Sequence, residues 1–299
     1  MPAVFKHIVL VVNPVAGTDV SRRFLKNLPE LFRKHNLQFK IITSSMAGEI
    51  EIITKGLATP ETLILVAGGD GTVHEAALGL MDTNAVLGIV PTGSGNGFAR
   101  HLGIHSNPEK ALIQLLSTAR IIEADMAQIN EHFFINIAGI GFDAQVANTF
   151  SKDGKRGLRT YVKHSLRNYP RVKEFEYLLQ SEHSTVHGTA WMITIANARE
   201  FGNGAQIAPN ASITDGELDI AIVRRPSWFQ VPGLLFAVMT GREHSGLIQR
   251  LRLSIFSLQL ATEQPIHLDG EYFGQRQTLN VTTHKRRIRL AVPENKSNI

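Results

Sequence analysis

TLILVAGGDGTVHE, residues 62–75, runs from an unbroken apolar segment through three glycines within four residues and directly into a helix-like pattern. The segment Thr62–Ala67 reads as a strand buried on both faces, as a parallel sheet requires. Glycine permits positive φ and lets a ligand approach the main chain. A helix that starts at the end of such a loop presents N–H groups and the positive end of its dipole, which together bind phosphate. Asp70 sits in the middle of the loop. There a carboxylate is useful for orienting Mg²⁺, its waters or an attacking group. An ordinary strand-to-helix turn with Asp70 as its cap is the competing reading, and a lone Gly-Gly would favour it.

Two further loops weigh against that plain turn. PTGSGNG at 91–97 again lies between a buried strand, Val86–Val90, and a helix-like passage ending near His101. NPVAG at 13–17 follows the strand His7–Val12. Between them the pattern gives a helix over 20–35, a strand at Phe39–Thr43, a helix over 48–57 and a helix over 73–81. This βαβα rhythm predicts a parallel sheet covered by helices, with the three loops converging on the edge where its strands end. The loops mark Gly68, Gly69, Gly71, Thr72, Gly95 and Asn96 as a phosphate-binding surface. The chain has no Gly-x-x-x-x-Gly-Lys-Ser/Thr P-loop and no GxGxxG after its first strand.

Beyond about residue 125 the rhythm changes to strands: Phe133–Ile137, Glu176–Gln180, Ala190–Asn197, Leu218–Val223, Ser257–Leu260, Gln277–Val281 and Ile288–Val292. Helical stretches are read only near 155–169 and 227–250. The expected organisation is α/β followed by all-β, with an α/β nucleotide-binding domain over 1–127 and a mainly antiparallel β-sandwich over 128–299. The last residues are expected to pack back on the first domain.

The 299 residues are 43% hydrophobic and 19% charged, as in a folded globular protein. With no cysteine, disulfide and thiolate chemistry are excluded. The N-terminus lacks a signal-peptide pattern. The longest apolar stretch, Trp228–Met239, falls short of the roughly 20 residues that cross a bilayer, so no spanning segment is expected. A net charge of +5 suits anionic partners, although on charge alone a mildly basic cytosolic protein is the commoner reading. Two Trp and four Tyr, with no interleaving of basic and aromatic residues, argue against nucleic acid.

GGDGT at 68–72 followed by PTGSGN at 91–96 resembles the diacylglycerol kinase catalytic-domain family, which includes bacterial soluble diacylglycerol and lipid kinases and sphingosine kinases. NPVAG at 13–17, NIAGIGFDA at 136–144, FGNGAQIAP at 201–209, DGELD at 215–219 and LDGE at 268–271 match in the same order, so the resemblance covers about 5 to 290. It implies a phosphofructokinase- or NAD-kinase-like α/β domain, a C-terminal β-sandwich, and transfer of the ATP γ-phosphate to a lipid hydroxyl with Mg²⁺.

Carried over by position, the resemblance implies nucleotide contacts at Asn13, Pro14, Val15, Ala16, Gly17, Thr43, Gly69, Asp70, Gly71, Thr72, Val73, His74, Glu75 and Ser94. Glu271 matches the general base, and Asp70 and Asp125 match acids of the catalytic metal and water network. Ser212, Asp215 and Glu217 match positions that hold a structural Mg²⁺, partly through backbone carbonyls. On its own, LDGE also reads as a hairpin turn, with Asp269 a turn-former bonding local backbone. Two departures stand out: Gly97 where many members carry an aspartate, and Thr18 where some bacterial relatives carry a lysine. The alternatives are an NAD kinase-like phosphotransferase and a catalytically silent lipid-binding protein on the same fold.

The resemblance implies a membrane-lipid substrate and a cytoplasmic protein, peripheral at the inner face of the membrane. Residues 152–173 carry Lys152, Lys155, Arg156, Arg159, Lys163, Arg167, Arg171 and Lys173 against the single acid Asp153, and read equally as a segment that docks on anionic membrane or as a solvated basic helix. For Trp228–Met239 the commoner reading is a buried core helix, with a membrane-lying helix or lipid groove as the alternative. His101 and His105 have the spacing of a helical metal pair but no third ligand, and read as two exposed histidines. Exposed sandwich edges allow a homodimer, and no residue pattern fixes one.

Overall fold

The computed structural model describes residues 5–14, 19–35, 40–46, 48–151, 158–202, 204–242 and 246–294. By contact the chain divides into two compact units, Met1–Ala124 with Arg286–Ile299, and Asp125–Lys285.

The first unit carries β1 (His7–Val12), α1 (Asp19–His35), β2 (Lys40–Thr43), α2 (Glu49–Leu57), β3 (Thr62–Gly68), α3 (Asp70–Leu80), β4 (Val86–Pro91), α4 (Gly97–His101) and α5 (Pro108–Thr118). It also holds the start of β5 (Ala119–Ile129) and the end of β16 (Glu271–Pro293). Its sheet runs β2-β1-β3-β4, all parallel, with Arg289 and Leu290 of β16 parallel to Val86 and Leu87. Every residue of β3 and of β4 is buried, which is why both read as unbroken apolar runs. Arg287 forms an ion pair with Asp82, and the Asp82 N–H donates to the Arg287 carbonyl.

The second unit continues β5 and adds β6 (His132–Phe134), β7 (Ile137–Gly141), α6 (Phe142–Ser151), α7 (Leu158–Asn168), β8 (Phe175–Gln180), β9 (Thr185–Ala190), β10 (Met192–Ala196), β11 (Glu200–Gly202) and β12 (Ala205–Gln206). β13 (Leu218–Val223), α8 (Val231–Thr240), β14 (Ile248–Leu253), β15 (Ile255–Leu268) and the first part of β16 complete it. The order β14-β13-β10-β7-β15-β16 is antiparallel throughout, the β8–β9 hairpin pairs with β15, and β5 pairs with β6. Phe134, Ile140, Leu179, Ile193, Ile220, Leu258 and Leu279 belong to its apolar core. The architecture is thus an α/β unit and a β-sandwich unit, as the alternation of patterns predicts.

Several boundaries differ from the sequence expectation. α3 begins at Asp70, because Gly69 is extended and the helix starts inside the glycine loop. The stretch 227–250 is not one helix: Gly241, at φ 67°, caps α8 after Thr240, and Ile248 already pairs with Val223. α6 was not anticipated, nor were β9 and β14. Gln277–Val281 and Ile288–Val292 belong to one 23-residue strand. His101 is buried at 1% exposure, in contrast to the exposed residue expected, because α4 is a short helix whose Phe98 stacks on it; His105 is exposed.

Candidate functional site

The candidate residues fall in both units: Asn13 to Asn96 in the first, and Asp125, Ser212, Asp215, Glu217 and Glu271 in the second. In the first unit the register sets Val12 beside Thr43 and Ala67, and Gly68 beside Pro91. Asn13, Thr43, the Gly68–Thr72 loop and the Pro91–Gly97 loop therefore share the C-terminal edge of one parallel sheet. Val15, Ala16, Gly17 and Thr18 lie outside the described residues.

The glycine loops touch through their main chains. Thr92 and Gly93 both donate their N–H groups to the Gly68 carbonyl. A Cβ on Gly93 would stand 2.4 Å from the Gly69 Cα, and one on Gly69 would stand 3.3 Å from the Gly93 Cα. These positions need glycine for close approach. Gly95 leaves space that a Cβ would narrow to 3.2 Å from Asp70 Oδ2. Asp70 Oδ1 accepts the Phe98 N–H, so the carboxylate of the first loop braces the start of α4. Asn96, at φ 51°, donates its side-chain amide to the Gly93 carbonyl, and Asn13 donates to Thr72 Oγ1. The result is a backbone surface at the N-terminus of α3, where a helix leaves its first N–H groups without intrahelical partners.

Not every residue carried over by position faces that surface. Val73 is buried and its N–H bonds the Gly69 carbonyl. Glu75 accepts the Ile50 N–H, so its carboxylate serves the N-terminus of α2. Ser94 and Thr43 are exposed.

In the second unit the LDGE stretch is a two-residue hairpin. Leu268 pairs with Glu271, and Asp269 (φ 50°) and Gly270 (φ 89°) are its left-handed central residues, as a type I′ turn requires. Asp269 bonds distant backbone rather than the local backbone expected. Its carboxylate accepts the N–H groups of Ile135, Asn136 and Ile137 at 3.0, 2.8 and 3.0 Å. The turn is thereby clamped to the β6–β7 connection, and Glu271 stands exposed beside it.

A second brace comes from residues the sequence did not nominate. His267 and Asp143 are both buried, with Nε2 3.4 Å from Asp143 Oδ2. His267 Nδ1 accepts the Gly270 N–H at 3.2 Å, which assigns the proton to Nε2, facing the carboxylate. Gly139 lies opposite His267 on β7, and a Cβ there would stand 2.0 Å from Asp143 Oδ2. The signal was present in the glycine-rich NIAGIGFDA stretch and in the histidine preceding LDGE. What the sequence lacked was the register that brings them together.

Asp125, 1% exposed, accepts the Gly216 N–H through Oδ2 at 2.7 Å, and its own N–H bonds the Ile213 carbonyl. Asn197 donates to the carbonyls of Asp125 and Ile135. Asp125 thus holds the 212–217 loop. In that loop Ser212 Oγ is 3.2 Å from Thr214 Oγ1, while Arg252 binds Asp215 at 2.5 Å, Glu217 at 3.0 Å and Asp219 at 3.6 Å. Burial pushes the Asp219 carboxyl up to about 6; Arg252 opposes this and Asp215 adds to it. Among the described residues, no group of three or more His, Cys, Asp or Glu side chains is arranged to hold a metal. A cation at Ser212, Asp215 and Glu217 would draw on backbone carbonyls or displace the guanidinium.

Comparisons with known proteins fit this geometry. Residues 7–129 match the family model of the diacylglycerol kinase catalytic domain, and residues 136–290 match the YegS C-terminal NAD kinase beta sandwich-like domain. A Pseudomonas putida protein named "Probable lipid kinase YegS-like" is 32% identical over 230 residues, covering 75% of this chain and 76% of the relative. A diacylglycerol kinase of Bacillus subtilis is 25% identical over 303 residues, covering 98% of each. A crystal structure of a diacylglycerol kinase from Bacillus anthracis str. Sterne shares the fold, with TM-score 0.75 and 21% identity over 99% of each chain.

Proposed function

This chain belongs to the diacylglycerol kinase catalytic-domain family, and from that premise we propose that it is a lipid kinase moving the ATP γ-phosphate to the hydroxyl of a membrane lipid. The relatives named as diacylglycerol and lipid kinases support the reaction class. The observation that carries the nucleotide reading is the main-chain contact of Gly69 with Gly93 beside the start of α3.

On this reading the N–H groups of the two loops would hold the ATP phosphates, and Asp70 would orient the cation and its waters at the same edge. Bound Mg²⁺ would offset charge on the phosphate oxygens. Phosphoryl transfer demands alignment and charge stabilisation more than covalent help from the protein. The lipid oxygen forms a bond to the γ-phosphorus as the bond to the ADP oxygen breaks. A lipid hydroxyl is a very weak acid, so its proton passes to the Glu271 carboxylate. Asp269 and the Asp143–His267 pair hold the turn that presents Glu271.

The test is transfer from γ-labelled ATP with Mg²⁺ to diacylglycerol, monoacylglycerol, sphingosine, ceramide and phosphatidylglycerol in mixed micelles, with NAD as a soluble control. Labelled lipid is the expected product. Labelled NADP would overturn the lipid acceptor in favour of the NAD kinase-like alternative, which the name of the C-terminal domain keeps in view. ATP binding without any labelled product would favour the silent relative.

A further inference from the structure

α8 should be buried by composition, because VPGLLFAVMT has no charged residue anywhere around its circumference. It is not. Only one face is fastened: Leu234 and Val238 pack on the core cluster containing Ile207, Ala208 and Val223, and Ala237 is the helix's one fully buried residue. Leu235, Phe236 and Met239 are 59%, 56% and 50% exposed, and in the turn before the helix Trp228 is 59% and Phe229 96% exposed. The core-helix expectation for 228–239 is thus corrected, because the apolar ring is wider than the groove that receives it.

The exposed tip is built, not loose. Ser227 donates its N–H and its hydroxyl to Gln230 Oε1, the Gln230 N–H returns to the Ser227 carbonyl, and the Leu234 N–H bonds the Gln230 carbonyl. Trp228 packs on Tyr169 at 4.2 Å, and the Tyr169 hydroxyl donates to the Pro226 carbonyl. Two arginines stack on its rings, and the exposed Glu174 carboxylate accepts the Arg225 N–H. Arg225 lies over the Tyr169 ring and Arg242 over the Phe236 ring. Arg224 is exposed, as are Arg167 and Arg171, which flank Tyr169 in the chain. Residues 224–242 hold three arginines and no acid; Glu243, next in sequence, lies outside the described residues.

We propose that α8 and the Ser227–Gln230 turn form an interfacial anchor, inserting Trp228, Phe229, Leu235, Phe236 and Met239 among the acyl chains of an anionic leaflet while the flanking arginines meet its headgroups. The choice of a membrane as partner rests on the lipid-acceptor reading. An exposed apolar face flanked in the chain by Arg224, Arg225 and Arg242 matches a bilayer surface in both hydropathy and charge. A second copy of this chain would bring the same cations against one another.

The full chain is mixed with vesicles of phosphatidylcholine, with and without phosphatidylglycerol, in the absence of ATP. Wild type is expected to sediment with the anionic vesicles, and its Trp emission to shift to the blue. Trp228→Phe is expected to abolish the shift, since Trp191 is already buried. Phe229→Ser with Phe236→Ser should lower vesicle partition by roughly tenfold or more, with an unchanged melting temperature and unchanged turnover of a short-chain, water-soluble lipid. Arg224→Glu with Arg242→Glu should weaken binding to the anionic vesicles alone. Absence of wild-type partition, or equal partition of the serine variant, overturns the anchor. So does a serine variant that splits a dimer in sedimentation velocity while still binding vesicles. Vesicle binding without labelled lipid from any acceptor would keep the anchor and sink the kinase reading. Labelled short-chain lipid without vesicle binding would do the reverse.

Discussion

The glycine edge of the first unit and the LDGE hairpin of the second are held by different means. At the glycine edge, main chain meets main chain: Gly93 against Gly69, with Thr92 and Gly93 N–H groups on Gly68. At the hairpin, side chains reach across the sequence, from Asp269 to residues 135–137 and from His267 to Asp143. A surface made by omitting side chains tolerates almost no addition, whereas one made by long-range bonds fails by removal. Substitutions therefore break the two regions in opposite ways.

The largest effect is expected at the exposed end of the hairpin. Glu271→Gln keeps the size of the side chain and removes the proton acceptor, so kcat should fall by about 10²–10⁴-fold. Calorimetric ATP affinity should stay as in wild type. A loss of less than about tenfold would remove Glu271 from the base role. Just behind it, Asp269→Ala strands three backbone N–H groups whose residues are at most 4% exposed. We expect about 3–4 kcal/mol lost in urea unfolding. Asp269→Asn, which tolerates the left-handed turn and keeps one acceptor oxygen, should lose less than half of that.

At the glycine edge the expected loss is in binding rather than in folding. Gly93→Ala forces the loops apart at the backbone, and ATP affinity should weaken by roughly 10–100-fold, about 1–3 kcal/mol. Gly95→Ala is the calibrating partner. Its Cβ meets only Asp70 Oδ2 at 3.2 Å, and a carboxylate can turn aside. Equal losses at both positions would mean that loop contact is not what shapes the surface.

This contrast also explains what could be read from the chain. The glycine edge is local: the strand, the loop and the helix start lie within fourteen residues, and glycine records the close approach directly in the sequence. The βαβα order, the later run of strands and the Asp-Gly turn were legible for the same reason. The clamps were not. Asp269 acts on residues more than 130 positions earlier, and His267 finds Asp143 only because Gly139 stands opposite it in the β7–β15 register. α8 misled because hydropathy reports how apolar a helix is and not how much of its circumference the fold covers.

His267 offers a finer cut through the second region, since its two nitrogens do separate things. Asn can place an acceptor near Nδ1, and Gln can place a donor near Nε2. His267→Asn should therefore keep the bond to the Gly270 N–H and most of kcat, while His267→Gln should keep the Asp143 contact and lose more kcat at similar KM. Both should lower stability by about 1–2 kcal/mol. If kcat follows stability alone in the two variants, His267 supports the fold and does not position Glu271.

The smallest expected effect tests whether the 212–219 loop resembles either region. Arg252 is half exposed, so Arg252→Met should cost about 1 kcal/mol or less in unfolding. Its consequences for charge are sharper. The folded Asp219 carboxyl, at about 6 against an ordinary 3.8, binds protons more readily than the unfolded chain does. Its contribution to stability thus rises as pH falls through 6 and is complete below about 4. Arg252 opposes that shift, so removing it should move the rise to higher pH. The variant also leaves the Asp215, Glu217 and Asp219 carboxylates without their shared cation. Mg²⁺ should then raise the melting temperature of Arg252→Met and leave wild type unchanged, if the guanidinium and the metal compete for the same oxygens. A wild type already stabilised by Mg²⁺ would put the cation beside Arg252, on backbone carbonyls. The loop would then work as the glycine edge does, through its main chain, with the carboxylates serving only to hold Arg252 in place.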